Sequence, residues 1–161
     1  MAAGEYHSVV LQRNRDVMTW GSCGLLKGSK TFHCNPVFVL SECSAIAAGG
    51  SHALVLRTDG TLLAWGSNRF GQLGNGNTVN QNRPINIGTQ FRSIVAGSSH
   101  SAAVDFQGQV WTWGASYTGQ LGNPIATHST VPVRLNSPLR FSALLLADPI
   151  KTILNKDLGI L

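Results

Sequence analysis

Charge is scarce in this chain: Asp, Glu, Lys and Arg together make up 12% of its 161 residues. Disordered or heavily solvated polypeptides carry far more, so this composition, 43% apolar and rich in Gly, describes a packed, turn-rich globular protein. Twelve Lys and Arg against seven Asp and Glu leave a net charge of +5, but the basic residues are scattered, with Arg13 and Arg15 the densest cluster. A nucleic-acid arm or nuclear signal needs a run of such residues, and nucleic acid is therefore not an expected partner. Long apolar runs are also missing. The longest lies within Phe141–Ala147, far short of the roughly 20 residues of a membrane-spanning helix. The opening MAAGEYHSVV lacks the basic-then-apolar order of a signal peptide. The expectation is a soluble intracellular protein, cytoplasmic or nuclear, with no membrane partner.

Cysteine is equally sparse. Cys23, Cys34 and Cys43 are odd in number and confined to the first third of the chain, a poor disulfide framework that suits a reducing compartment. Their spacings of eleven and nine lack the short CxxC chelate, so with His33 they make no zinc set, and no metal is expected. Catalytic motifs are absent as well. There is no nucleophile elbow, phosphate loop or dinucleotide fingerprint; Gly71–Gly76 is Gly-rich but contains no Lys and opens no helix. Neither a catalytic residue nor a cofactor is expected, and the chain reads as a non-enzyme.

What is present is repetition. An AGxxH step occurs at Ala3-Gly4 with His7, at Ala48-Gly49 with His52 and at Ala96-Gly97 with His100; thirteen residues after each His stands a Trp-Gly pair, Trp20-Gly21, Trp65-Gly66 and Trp113-Gly114. GQLG follows at Gly71–Gly74 and Gly119–Gly122, six residues after Trp, and a Pro closes each full copy at Pro84 and Pro132. The periods of 45 and 48 residues, with Gly and aromatic marks, are those of propeller blades of about four short strands each. In the second copy, Ala53–Arg57 and Thr61–Trp65 flank Asp59-Gly60, a tight hairpin turn, and both faces of the first run are apolar, as blade-on-blade packing requires. The first copy has no incoming strand and no readable GQLG; the segment Val37–Ala47 is expected to lead into the second copy and Phe91–Val95 into the third. Phe141–Ala147 resembles a further incoming strand, but Asp148-Pro149 replaces the next Ala-Gly pair. From there Ile150, Ile153, Leu154, Leu158 and Leu161 fall on one helical face, and a short C-terminal helix is expected.

The fold class expected is thus all-β: a partial propeller of about three four-stranded antiparallel blades. Repeats occupy 1–135, as about 1–36, 37–84 and 85–135, and a divergent tail occupies 136–161. Equivalence between copies assigns the recurring residues to architecture, because an active site needs one special residue among different partners. Gly4, His7, Trp20, Gly49, His52, Trp65, Gly66, Gly71, Gly74, Gly97, His100, Trp113, Gly114, Gly119 and Gly122 are structural on this reading. Individuality lies between Trp-Gly and GQLG, where Arg69-Phe70 in the second copy stands opposite Tyr117-Thr118 in the third. Arg69, Phe70 and Tyr117 are the candidate partner-binding residues.

At these residues the chain resembles the regulator of chromosome condensation repeat family, whose units join a GxxHS step, a DG turn, a WGxNxxGQLG segment and a following Pro. Gly49, His52, Asp59-Gly60, Trp65-Gly66, Asn68, Gly71–Gly74 and Pro84 match throughout; the third copy has Ser116 for the Asn, and the first matches as far as Gly21. The resemblance implies a seven-bladed propeller. Its members include a nucleotide exchange factor for a small nuclear GTPase that also binds chromatin, domains of ubiquitin ligases and kinases, and partner-binding scaffolds. It therefore implies a protein-interaction scaffold with another protein as partner, a small GTPase or ubiquitin-pathway component among the candidates, with exchange on a small GTPase as the alternative activity. Three blades do not close a ring that takes at least about four, so a piece of a longer propeller, or a ring completed by self-association, is expected.

Overall fold

A computed structural model of the chain describes residues 1–22, 33–123, 127–136, 141–146 and 151–155. Three four-stranded antiparallel sheets follow one another. The first orders β1 (Ala2–Ala3), β2 (His7–Leu11), β3 (Val17–Gly21) and β4 (His33–Leu40); the second β5 (Cys43–Ala48), β6 (His52–Arg57), β7 (Leu62–Gly66) and β8 (Gln81–Gly88). The third orders β9 (Phe91–Ala96), β10 (His100–Asp105), β11 (Val110–Ala115) and β12 (His128–Arg134). A two-stranded sheet, β13 (Phe141–Leu146) with β14 (Lys151–Asn155), completes the described chain, in which no helix occurs.

The hairpin turn expected at Asp59-Gly60 joins β6 to β7. There Gly60 donates its N–H to the Arg57 carbonyl (3.1 Å) and Asp59 Oδ1 accepts from the Thr61 N–H (2.9 Å). The outer strands β4, β8 and β12 carry Pro36, Pro84 and Pro132 on the sheet edge, where a missing N–H leaves no ladder bond unmade.

The middle blade shows why its inner hairpin is apolar on both sides. Ala53 and Val55 of β6 join Val9, Val17, Cys43 and Trp65 in a cluster between blades one and two. Leu54 and Leu56 of the same strand point the other way, into a cluster with Leu73, Phe91, Ile94, Ala103 and Trp113 between blades two and three. One strand therefore feeds two cores, and Trp65 and Trp113, both fully buried, are the wedges. Trp20, at the matching position of the first blade, is only half-buried, because no described blade packs on its side.

The structure departs from expectation in three places. The first blade does have an inner strand, the two-residue β1, paired to β2 through Ala2↔Val9 and Ala3↔Ser8. The run Val37–Ala47 is not one strand: it divides at Ser41-Glu42 into the outer strand of blade one and the inner strand of blade two, and the sheets end at Leu40 and Gly88, four residues past the bounds 36 and 84. The polar pair Ser41-Glu42, with Glu42 at φ 59°, marks that corner between two apolar runs. The helix expected after Pro149 is contradicted over Lys151–Asn155, which forms β14; Ile150, Leu158 and Leu161 lie outside the described residues. A single short amphipathic turn has little intrinsic stability, whereas β13, seated against β9 as β9 is against β5, offers an open edge that β14 pairs with.

Candidate partner-binding surface

The AGxxH turns, the Trp-Gly pairs and the loops that follow share one end of the blades, because His52 pairs with Gly66 and His100 with Gly114. The turns are stitched around the inner edge by backbone bonds from Glu5 N–H to the Gly50 carbonyl (3.0 Å) and from Gly50 N–H to the Ser98 carbonyl (3.0 Å). Approach there is so close that a Cβ on Gly49 would overlap the His52 ring and stand 2.5 Å from the Gly97 carbonyl oxygen. Gly4 and Gly97 stand against His7 and His100 in the same way.

The histidines serve this packing. His52 Nε2 lies 2.9 Å from Ser101 Oγ, which itself donates to the Gln72 carbonyl (2.8 Å), so the imidazole is the donor and carries its proton on Nε2. Trp113 Nε1–H donates to the same carbonyl (2.9 Å). A Ser–His pair at this distance could pass for a nucleophile and its base. Both side chains are fully buried and the hydroxyl is committed to a backbone carbonyl, so it is a tie between blades two and three. Burial, with the charges of His7 and His100 adding to it, pushes His52 down to about 3. Burial also lowers His7; the His52 backbone offsets part of this without meeting hydrogen-bond geometry, and neither ring nitrogen of His7 has a partner among the described residues. Sequence reasoning placed His52 in architecture but missed Ser101. The signal was the GxxHS step itself, which has Ser8 and Ser101 but Ala53 in the second copy.

Asn68 holds the loop after Trp65-Gly66. Fully buried, it donates through Nδ2 to Asn75 Oδ1 (2.9 Å) and the Asn77 carbonyl (2.9 Å), accepts from the Leu73 N–H at Oδ1 (3.0 Å), and donates its own N–H to Asn80 Oδ1 (2.8 Å). Gln72 Oε1 accepts from the Phe70 N–H (2.9 Å), and in blade three Gln120 Oε1 accepts from the Thr118 N–H (2.8 Å). Gly71, at φ +76°, also lies hard against blade three: a Cβ there would be 2.6 Å from Thr130 Cα. Gly66, Gly74, Gly114, Gly119 and Gly122 share its positive φ.

These supports leave two tips exposed, and the structure brings them together. Arg69 Cζ stands 5.6 Å from the centroid of the Phe70 ring, and the Phe70 and Tyr117 rings meet edge to face at 5.7 Å and 90°. Arg69 is exposed, Phe70 half-buried and Tyr117 61% exposed. All three candidate residues thus form one patch across two blades. The cysteines do not gather: Cys34 is exposed on β4, Cys43 is buried with its thiol donating to the Ser41 carbonyl (3.3 Å), and Cys23 lies outside the described residues. Among the described residues no group of three His, Cys, Asp or Glu is placed to hold a metal ion.

Antiparallel four-stranded sheets that share apolar clusters face to face around a common inner edge are propeller blades. The chain belongs to the regulator of chromosome condensation (RCC1) repeat family, whose model matches residues 59–104 and 107–144, just over half of the chain, and a second repeat model matches 43–72 and 91–120. Among curated relatives, the human probable E3 ubiquitin-protein ligase HERC6 is 36% identical over 99 residues, covering 55% of this chain and 10% of that protein. Among solved structures, Prp20p of Saccharomyces cerevisiae, reported with its binding properties to Gsp1p and histones, superposes with a TM-score of 0.75 at 25% identity, covering 84% of this chain and 37% of that one. Human WBSCR16 superposes with a TM-score of 0.70, also at 25% identity, over 83% and 36%. The chain therefore spans about a tenth of the ligase and little more than a third of either propeller.

Proposed function

We propose that the chain is a non-enzymatic protein-interaction scaffold, intracellular in the cytoplasm or nucleus, that grips another protein through the loop end of blades two and three. The observation that carries this is the patch of Arg69, Phe70 and Tyr117: one cation and two aromatic rings in mutual contact, on loops pinned from beneath by Asn68, Gln72 and Gln120. Rigid aromatic and Arg anchors lose little entropy on binding and dominate the energetics of interfaces. Meanwhile the repeated His, Trp and Gly residues are consumed by packing between blades, which leaves them nothing for catalysis. Affinity capture with the wild-type chain and with Phe70→Ser and Tyr117→Ser, each checked for an unchanged melting temperature, tests the assignment. Loss of the captured set in the variants is expected; retention of every partner sinks it.

A second reading, regulation of nucleotide exchange on a small GTPase, draws on the superposition with Prp20p. Release of labelled GDP from a panel of small GTPases decides it, since no acceleration at micromolar protein rules it out.

A further inference from the structure

The two ends of the blades differ in charge. Arg15, Asp16, the Glu42–Arg57 ion pair and Asp59 gather at the hairpin end. At the loop end, the described stretches 48–52, 66–81, 96–100, 114–123 and 127–128 contain one charged residue, Arg69. Among the described residues blade one adds Glu5, whose carboxylate lies over Gly50, 3.5 Å from where that residue's Cβ would stand; Lys27 and Lys30 of its own loop stretch lie outside the described residues. Among the described residues no carboxylate pairs with Arg69, and the Tyr117 hydroxyl has no hydrogen-bond partner. The guanidinium and the phenol ring both lie against Phe70, at 5.6 and 5.7 Å from its centroid.

We propose that the Arg69–Phe70–Tyr117 patch binds an acidic peptide segment of a partner protein, with one carboxylate received by Arg69 and an adjacent apolar side chain laid on the Phe70–Tyr117 pair. This rests on the reading of the patch as the partner surface and names its ligand class. A guanidinium stacked on an aromatic ring keeps its planar edge free for bidentate contact with a carboxylate. Charge complementarity selects the ligand. A single cation on the otherwise uncharged, Asn-, Ser- and Gly-rich loops of blades two and three matches one carboxylate, whereas a nucleic acid needs several basic residues along its backbone, and among the described residues these loops have none beyond Arg69.

The test is selection from a random twelve-residue peptide display library on the full-length chain. Selected peptides are then titrated as labelled synthetics against wild type, Arg69→Gln, Arg69→Lys and Tyr117→Ser, all with melting curves matching wild type. The expected result is enrichment of Asp or Glu beside an apolar residue, a loss of about tenfold or more in Arg69→Gln, as for a lost hydrogen bond to a charged group, and partial retention in Arg69→Lys. Replacing the peptide's acid by its amide should reproduce the Arg69→Gln loss on wild type. Enriched peptides without an acid that still lose affinity in Tyr117→Ser would overturn the acidic ligand while leaving the surface intact. Peptides indifferent to all three substitutions, or no enrichment, would overturn both. A preference for phosphorylated or oligonucleotide competitors over the carboxylate peptide would also overturn it.

Discussion

Asn68 is the residue on which the loop end turns. It is fully buried and bonded on its amide, carbonyl and backbone N–H to five other loop residues. Asn68→Ala should cost about 2–3 kcal/mol, since the Leu73 N–H loses its buried acceptor and the carbonyls of the loop their donor. Urea unfolding measures the cost, and faster amide exchange confined to residues 67–80 would locate it. His52 supplies a second test. In the unfolded chain it takes a proton at its ordinary value near 6.5; in the folded chain it resists until about 3. The unfolded state therefore binds the extra proton, and stability is complete above pH 6.5 and declines as pH falls towards 3. The slope from this group alone is about 1.4 kcal/mol per pH unit. Unfolding free energies between pH 7 and 4 should show that slope reduced in His52→Gln. The roles of His52, Trp65 and GQLG as architecture were legible because each recurs in phase. Ser101 was not, since its partner is a backbone carbonyl 29 residues away, brought close only by stacking one blade on the next.

At the scale of the element, the two junctions between blades are unequal. Between blades two and three, Ser101 and Trp113 converge on the Gln72 carbonyl and His52 joins them. Between blades one and two, Ala53 stands where that serine would be, and both His7 and Trp65 Nε1 lack partners among the described residues. The first repeat carries no GQLG, and the stretch that would hold the counterpart of Gln72 lies outside the described residues. Amides of β2 and β3 are accordingly expected to exchange faster than those of β6 and β7. Ala53→Ser, which offers His7 a hydroxyl, should raise stability by up to about 1 kcal/mol; an unchanged or lowered melting midpoint would show that the hydroxyl cannot reach the ring. Ile150, Ile153 and Leu154 have helical spacing, yet Ile153 and Leu154 lie in the ladder that β14 forms on the edge of β13.

For the whole molecule, three blades and a two-stranded sheet form an arc whose first blade leaves Trp20 half-exposed. A polypeptide of these residues alone is expected to associate, because a blade face without a neighbour is apolar surface in water. Light scattering on eluting protein should report a mass above 17.1 kDa; a monodisperse monomer would contradict the expectation. The all-β class, the blade framework, the hairpin turn and the variable positions between Trp-Gly and GQLG were legible along the chain, because these depend on local turn chemistry and on a repeat that exposes itself by comparison. Only the tertiary structure decided where Val37–Ala47 breaks, that the tail pairs as a strand, that a Ser–His pair is a tie rather than a reaction centre, and that Arg69, Phe70 and Tyr117 touch. Each of these turns on which surfaces meet across blades, and that distance is set by packing, on which the spacing along the chain is silent.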